Sequence, residues 1–149
     1  MAIMTNVNER NIADFLGGAK VLRGISETLG IQRAIRAGFP YAALEVLAGL
    51  LDMPMRDVTE VLGMAPRTLA RRKKSRGQLS PIESDRLYRC ARIVQLAANL
   101  LGDLDKTRAW LARPNLALGG NTPLSMLDTE PGARQVENVL TQISHGIYA

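Results

Sequence analysis

Apolar side chains in this chain recur at three- and four-residue spacing, in blocks that glycine and proline separate, and few residues belong to alternating runs. That is the pattern of short amphipathic helices rather than strands, and it predicts an all-α fold. The first 18 residues are weakly patterned, end in Gly17-Gly18, and read as a flexible N-terminal arm. Helical stretches are expected over 19–30, 31–37 and 41–51, the last two flanking Gly38-Phe39-Pro40, where glycine closes one helix and proline opens the next. Leu44, Leu47, Ala48 and Leu51 form the inward stripe of the third.

Met53-Pro54 breaks that helix, and a pair follows: one helix over 55–62, a Gly63 turn, and a second opened by Pro66 and running to Ser75. Val58, Leu62, Met64 and Leu69 are spaced so that the two pack across the turn. After a linker over 77–80, Ser80 at the N-cap, Pro81 at the first helical position and Glu83 at the third make a capping-box signature for a helix running to Leu101. Its apolar residues cover more than one face: Leu87, Ala91, Val94, Ala98 and Leu101 on one stripe, Ile93, Leu96, Ala97 and Leu100 around it. Both a central core helix and part of a dimer interface fit that pattern.

Beyond Gly102 the spacing predicts a short helix around Trp110-Leu111, an irregular loop over 113–121, a short helix opened by Pro123, and a final helix with Val136, Val139, Leu140 and Ile143 on one side. The chain thus divides into the arm 1–18, a helix-pair part 19–80, a connecting helix 81–102 and a C-terminal part 103–149.

Charge changes the picture. Residues 1–65 hold six basic and seven acidic side chains and 103–149 four and five, a net −1 each, whereas 66–102 holds nine and two, a net +7. The whole excess of +5 sits in one quarter of the chain, the distribution of a polyanion-binding surface. Arg67, Thr68, Arg71 and Arg72 are expected to face outward from the second helix of the pair into a major groove, where arginine forks take guanine or clamp phosphate. Lys73, Lys74 and Arg76, farther along, suit phosphates. With roughly four phosphates neutralised per subunit, log affinity would fall with log salt at a slope of about −3.6. The competing reading is a solvated face or a surface for an acidic protein, and Arg86, Arg89 and Arg92 fit plain surface charge as well as binding.

Composition narrows the classes further. One cysteine, Cys90, excludes an intramolecular disulfide and fits a reducing compartment, and the single His145 leaves no zinc-binding set. No run approaches a membrane span and the first residues lack a signal-peptide core, so a cytoplasmic protein is expected. Gly119-Gly120 lacks the lysine of a phosphate loop, no nucleophile–base pair is present, and Asp103 and Asp105 beside Gly102 read as helix capping. No active site, metal or cofactor is expected.

The ordered set Gly38-Phe39-Pro40, Leu62-Gly63-Met64, Arg67-Thr68-Leu69 with Arg71-Arg72, Leu79-Ser80-Pro81 with Ser84, Arg86-Leu87, Ala109-Trp110-Leu111, Pro114-Asn115, Ala117-Leu118-Gly119-Gly120, Thr122-Pro123-Leu124 and Leu127-Asp128-Thr129 resembles Xre-type antitoxins of bacterial type II toxin–antitoxin modules, the group that also includes MbcA and ParS. Gly132, Val136, Leu140, Ile143, Gly146 and Tyr148-Ala149 continue it, so the likeness spans 35–149. Ala65 departs from the serine often found before the second helix of the pair. The resemblance implies an N-terminal Xre/Cro-like helix-turn-helix part and a small helical toxin-binding domain over 103–149. It also implies a homodimer that represses its own operon by binding operator DNA and covers the active-site entrance of a RES-domain, NAD-depleting toxin. Toxin contacts are then expected from Trp110, Asn115, Leu116, Leu118, Gly119 and Gly120 and from the ending His145, Ile147, Tyr148 and Ala149, with Trp110 the one best suited to an internal role. A stand-alone helix-turn-helix repressor explains the basic segment but leaves the pattern from Trp110 onward without a task.

Overall fold

The structure is a computed structural model that describes residues 9–18, 21–22, 28–75 and 77–146. Its helices are α1 (Glu9–Asp14), α2 (Thr28–Ala37), α3 (Tyr41–Leu51), α4 (Met55–Val61), α5 (Pro66–Ser75), α6 (Pro81–Leu101), α7 (Leu104–Ala112) and α8 (Glu130–Ser144), with 3-10 turns at Leu116–Leu118 and Leu124–Met126. No strand occurs among the described residues beyond a single bridge between Pro40 and Gln78.

Helix α6 is the axis of the fold. Its start carries the full capping box: Ser80 Oγ accepts the Glu83 N–H at 3.1 Å, and Glu83 Oε1 accepts the Ser80 N–H at 2.7 Å. Such a cap contributes about 1 kcal/mol. Leu87, Cys90, Ala91, Ile93, Val94, Leu96 and Ala97 are buried around most of its circumference, because α1, α2, α7 and α8 all pack against it. Most of the apolar faces that fitted a dimer interface are therefore covered within one chain, with Ala98, Leu100 and Leu101 near its end half-buried. Each buried leucine or isoleucine contributes roughly 1.5 to 3 kcal/mol.

Two sequence motifs far apart meet at its N-terminus. The Phe39 N–H donates to Ser84 Oγ at 2.8 Å and the Phe39 carbonyl accepts the Leu79 N–H at 2.8 Å, so Gly38-Phe39-Pro40 lies against Leu79-Ser80-Pro81. Gly38 has φ +91°, and a Cβ there would collide with the Leu79 carbonyl, so glycine is required at this crossing. The 31–37 helix begins earlier than expected, at Thr28; of the expected 19–30 stretch, residues 19, 20 and 23–27 lie outside the described set.

The N-terminal region corrects one expectation. Glu9–Asp14 is helical, and Ile12 and Leu16 are fully buried in the core against α6, so these residues are part of the packed body rather than a fraying arm. Two apolar anchors four apart are too sparse a signal to stand out in sequence, yet they suffice once a hydrophobic face awaits them.

The C-terminal half is tied to the rest by side chains as well as by α6. Asp103 Oδ1 accepts the Lys106 N–H at 2.7 Å and caps α7, while Arg108 Nε donates to the Leu50 carbonyl at 2.8 Å at the end of α3. Ala133, Val136, Val139 and Leu140 of α8 pack on α6.

Candidate nucleic-acid and partner interfaces

The tight pair α4–α5 turns at Gly63, with Val58, Leu62 and Met64 buried beneath it. Helix α5 contains no fully buried side chain; Thr68, Leu69 and Arg72 are its half-buried positions. Arg67, Arg71 and Lys74 are exposed at i, i+4 and i+7 and share one face, with Lys73 exposed beside them. Arg76 lies outside the described residues.

Arg72 departs from the expected outward set. Its Nη2 lies 2.9 Å from Glu83 Oε1, the two side chains only 20% and 13% exposed, and its Nη1 donates to the Gln78 carbonyl. Five residues from Arg67 and three from Leu69, it falls on the inner side of the helix, where a charge run hides it from a reading of composition alone. Beneath α5, a groove of about 460 Å³ is lined by Tyr41, Met55, Met64, Leu69 and the stem of Lys73.

The arginines of α6 also turn out to be structural. Arg86 Nη1 donates to the Leu62 carbonyl at 3.0 Å. Arg89 Nε donates to Glu130 Oε2 at 2.9 Å and its Nη2 to Asp85 at 3.2 Å, while Arg92 Nη2 lies 3.5 Å from Glu130 Oε1. All three are half-buried, unlike free surface charge. Partial burial raises the Glu130 carboxyl, but the Arg89 hydrogen bond and the Arg92 charge outweigh it and hold it below its ordinary value. Sequence separations of 41 and 38 residues leave no local signal from which these pairs could be read.

In the C-terminal half the loop over 113–121 closes on itself. The Asn115 side chain accepts the Ala117 N–H at 2.9 Å, its backbone N–H donates to the Asn121 carbonyl at 3.0 Å, and its carbonyl accepts the Gly120 N–H at 2.9 Å. Gly119 and Gly120 have φ +68° and +86°, the left-handed values the turn needs. These three expected contact residues thus shape the loop. Leu118 also departs from expectation: only 4% exposed, it is the plug that seats the loop in the core. Leu116, two residues earlier, stands 96% exposed at the tip.

Trp110 is half-buried, packed partly on the core and partly lining a hollow of about 590 Å³ with Asp105, Lys106, Arg113 and Asn115. His145 is exposed at the end of α8, and Ile147, Tyr148 and Ala149 lie outside the described residues. Cys90 is fully enclosed, its thiol pushed up to about 12 by burial, which leaves no reactive thiolate. No helix among the described residues is long and apolar enough to cross a membrane.

Comparison with known proteins gives two matches that meet within α6. Residues 30–92 match the family described as Antitoxin Xre-like helix-turn-helix domain, and residues 96–146 the Antitoxin Xre/MbcA/ParS C-terminal toxin-binding domain. The chain is 35% identical to an Antitoxin Xre of Photorhabdus laumondii over 78% of its length and 80% of that relative. It is 30% identical to an Antitoxin Xre of Yersinia enterocolitica over 78% and 79%, and 25% identical to a Prs ADP-ribosylating antitoxin of Sphingobium over 77% and 78%. A DNA-binding helix pair and a helical toxin-binding region, joined through α6 and aligned over most of their length with such relatives, identify the chain as a member of the Xre-type antitoxin family.

Proposed function

We propose that this antitoxin neutralises a RES-domain toxin that depletes NAD, covering its active-site entrance through the C-terminal half, and that it represses its own operon through α5. It works by inhibition rather than catalysis, in the cytoplasm, as a homodimer whose two α5 helices meet half-sites about 34 Å apart on a palindromic operator.

Leu116 carries the toxin-binding part of this reading. It is a large apolar side chain left almost wholly in water, within the matched toxin-binding region, on a loop that its neighbours' hydrogen bonds and Leu118 hold rigid. An anchor presented without ordering cost is the kind of residue that dominates an interface when it enters a partner's apolar pocket. Trp110, which lines a hollow with Asn115, and the exposed His145 are assigned to the same contact in this reading. For DNA, the supporting observation is the exposed face of Arg67, Arg71 and Lys74 in the matched helix-turn-helix region.

Co-expression with the product of the neighbouring gene tests the proposal, with the tag on that product and with growth and cellular NAD followed. Copurification with growth and NAD restored is the expected result; no complex and no rescue would favour a stand-alone repressor. A second reading of the toxin's chemistry has the name of the Sphingobium relative in its favour: the partner would spend NAD to ADP-ribosylate a protein. Labelled protein accumulating when the partner is expressed alone would mark that case.

A further inference from the structure

Helix α5 presents a puzzle of mechanics. A helix that reads base edges must be held at a fixed angle and depth, because a small displacement disengages every side chain on its face. Yet α5 buries no side chain fully, packs on the short α4 and on the core through the half-buried Leu69, and borders an open apolar groove there. Packing alone does not fix such a helix.

Charged struts from α6 supply what packing does not. Near the start of α5, Arg86 reaches under the turn to the Leu62 carbonyl, its guanidinium 2.7 Å from where a Cβ on Gly63 would sit. Near the end of α5, Arg72 grips Glu83 at 2.9 Å and the Gln78 carbonyl. Glu83 is itself held in place, because the same oxygen accepts the Ser80 N–H in the capping box and the next residue, Ser84, bonds Phe39. The Arg72 guanidinium is committed inward: its Nε is buried with no hydrogen-bond partner among the described residues, a cost not incurred by a side chain free to reach phosphate.

We infer that Arg72 and Glu83 are positioning residues for DNA recognition, the ion pair setting the pose in which Arg67, Arg71 and Lys74 meet the duplex. The inference rests on the reading of α5 as the DNA-contacting helix. It makes Arg72, the centre of the basic cluster, a residue that does not touch DNA, and gives an acidic residue a favourable role in binding a polyanion.

The sign of one substitution separates this from simple electrostatics. Glu83→Gln keeps an acceptor for the Ser80 N–H but removes a negative charge from the most basic quarter of the chain. Net charge alone predicts tighter binding to DNA. Positioning predicts about tenfold weaker binding to a duplex carrying the operon's upstream sequence, with the slope of log affinity against log salt unchanged because no phosphate contact is lost.

The experiment is fluorescence anisotropy of the full chain with that duplex and a scrambled one across a salt series, for wild type, Glu83→Gln, Arg72→Gln and the double variant. Weaker specific binding by Glu83→Gln at constant slope, with no further loss when it is added to Arg72→Gln, is the expected result. Arg72→Gln leaves the capping box intact, so its own loss of the specific over the scrambled duplex serves as the readout if Glu83→Gln melts early. Equal or tighter binding by Glu83→Gln, or additive losses, would overturn the inference. Wild type without salt-sensitive preference for either duplex would instead overturn the DNA-binding reading beneath it.

Discussion

The two regions proposed to meet DNA and toxin are built on opposite principles. Helix α5 contributes nothing fully buried and is held by guanidinium and carboxylate groups, whereas the loop over 113–121 is seated by Leu118 on a core that includes Leu111, Leu124, Leu127 and Leu140. On the proposed assignment, the side given to DNA displays charge and is braced by charge, and the side given to the toxin displays one leucine and is seated by packing. Salt therefore bears on the first far more than on the second, and cavity-forming substitutions do the reverse.

Removing the plug is the harshest way to break this contrast. Leu118→Ala is expected to cost about 2 to 4 kcal/mol, read as a fall in the urea midpoint, and to weaken toxin binding while leaving DNA affinity intact below the melting range. Leu116→Asp should do the complementary thing. Stability stays within about 0.5 kcal/mol of wild type because the side chain is in water, while affinity for the toxin drops by about two orders of magnitude, measurable by calorimetry. Equal losses in both variants would mean that the loop tip is not a separate contact.

How much of this division was legible in the sequence depended on the range of the forces involved. Local forces were readable: the bounds of α3, α5 and α6 follow from helical spacing, Pro66, and the Ser80–Glu83 box, all within a few residues. The Asp103 cap was likewise visible. Long-range forces were not. Nothing near Arg89 in sequence announces Glu130, and Arg72 looked like its neighbours because a run of basic residues conceals which of them the helix turns inward. Leu116 and Leu118 are the same residue type two positions apart, and only the closed loop assigns one to water and the other to the core.

Smaller effects sharpen the comparison. Arg71→Gln should reduce the magnitude of the salt slope for DNA by about 0.9, one phosphate contact, with no change in the melting temperature. The Glu130 clamp gives a pH signature. Its carboxyl is held below the ordinary value of 4.5 in the fold, so the clamp stabilises the protein above that pH and the contribution fades as pH falls through the lowered value. Wild type is thus expected to exceed Glu130→Gln in urea midpoint at neutral pH, with the two converging in acid; a gap that persists in acid would assign the difference to shape rather than charge.

The central claim is that one rigid body carries two separable surfaces, and the Leu116→Asp protein tests it most directly when its affinities for the copurified toxin and for the upstream duplex are measured side by side. The account predicts loss of the toxin with DNA binding at the wild-type level. Toxin binding at full strength, or DNA binding lost along with it, would contradict it.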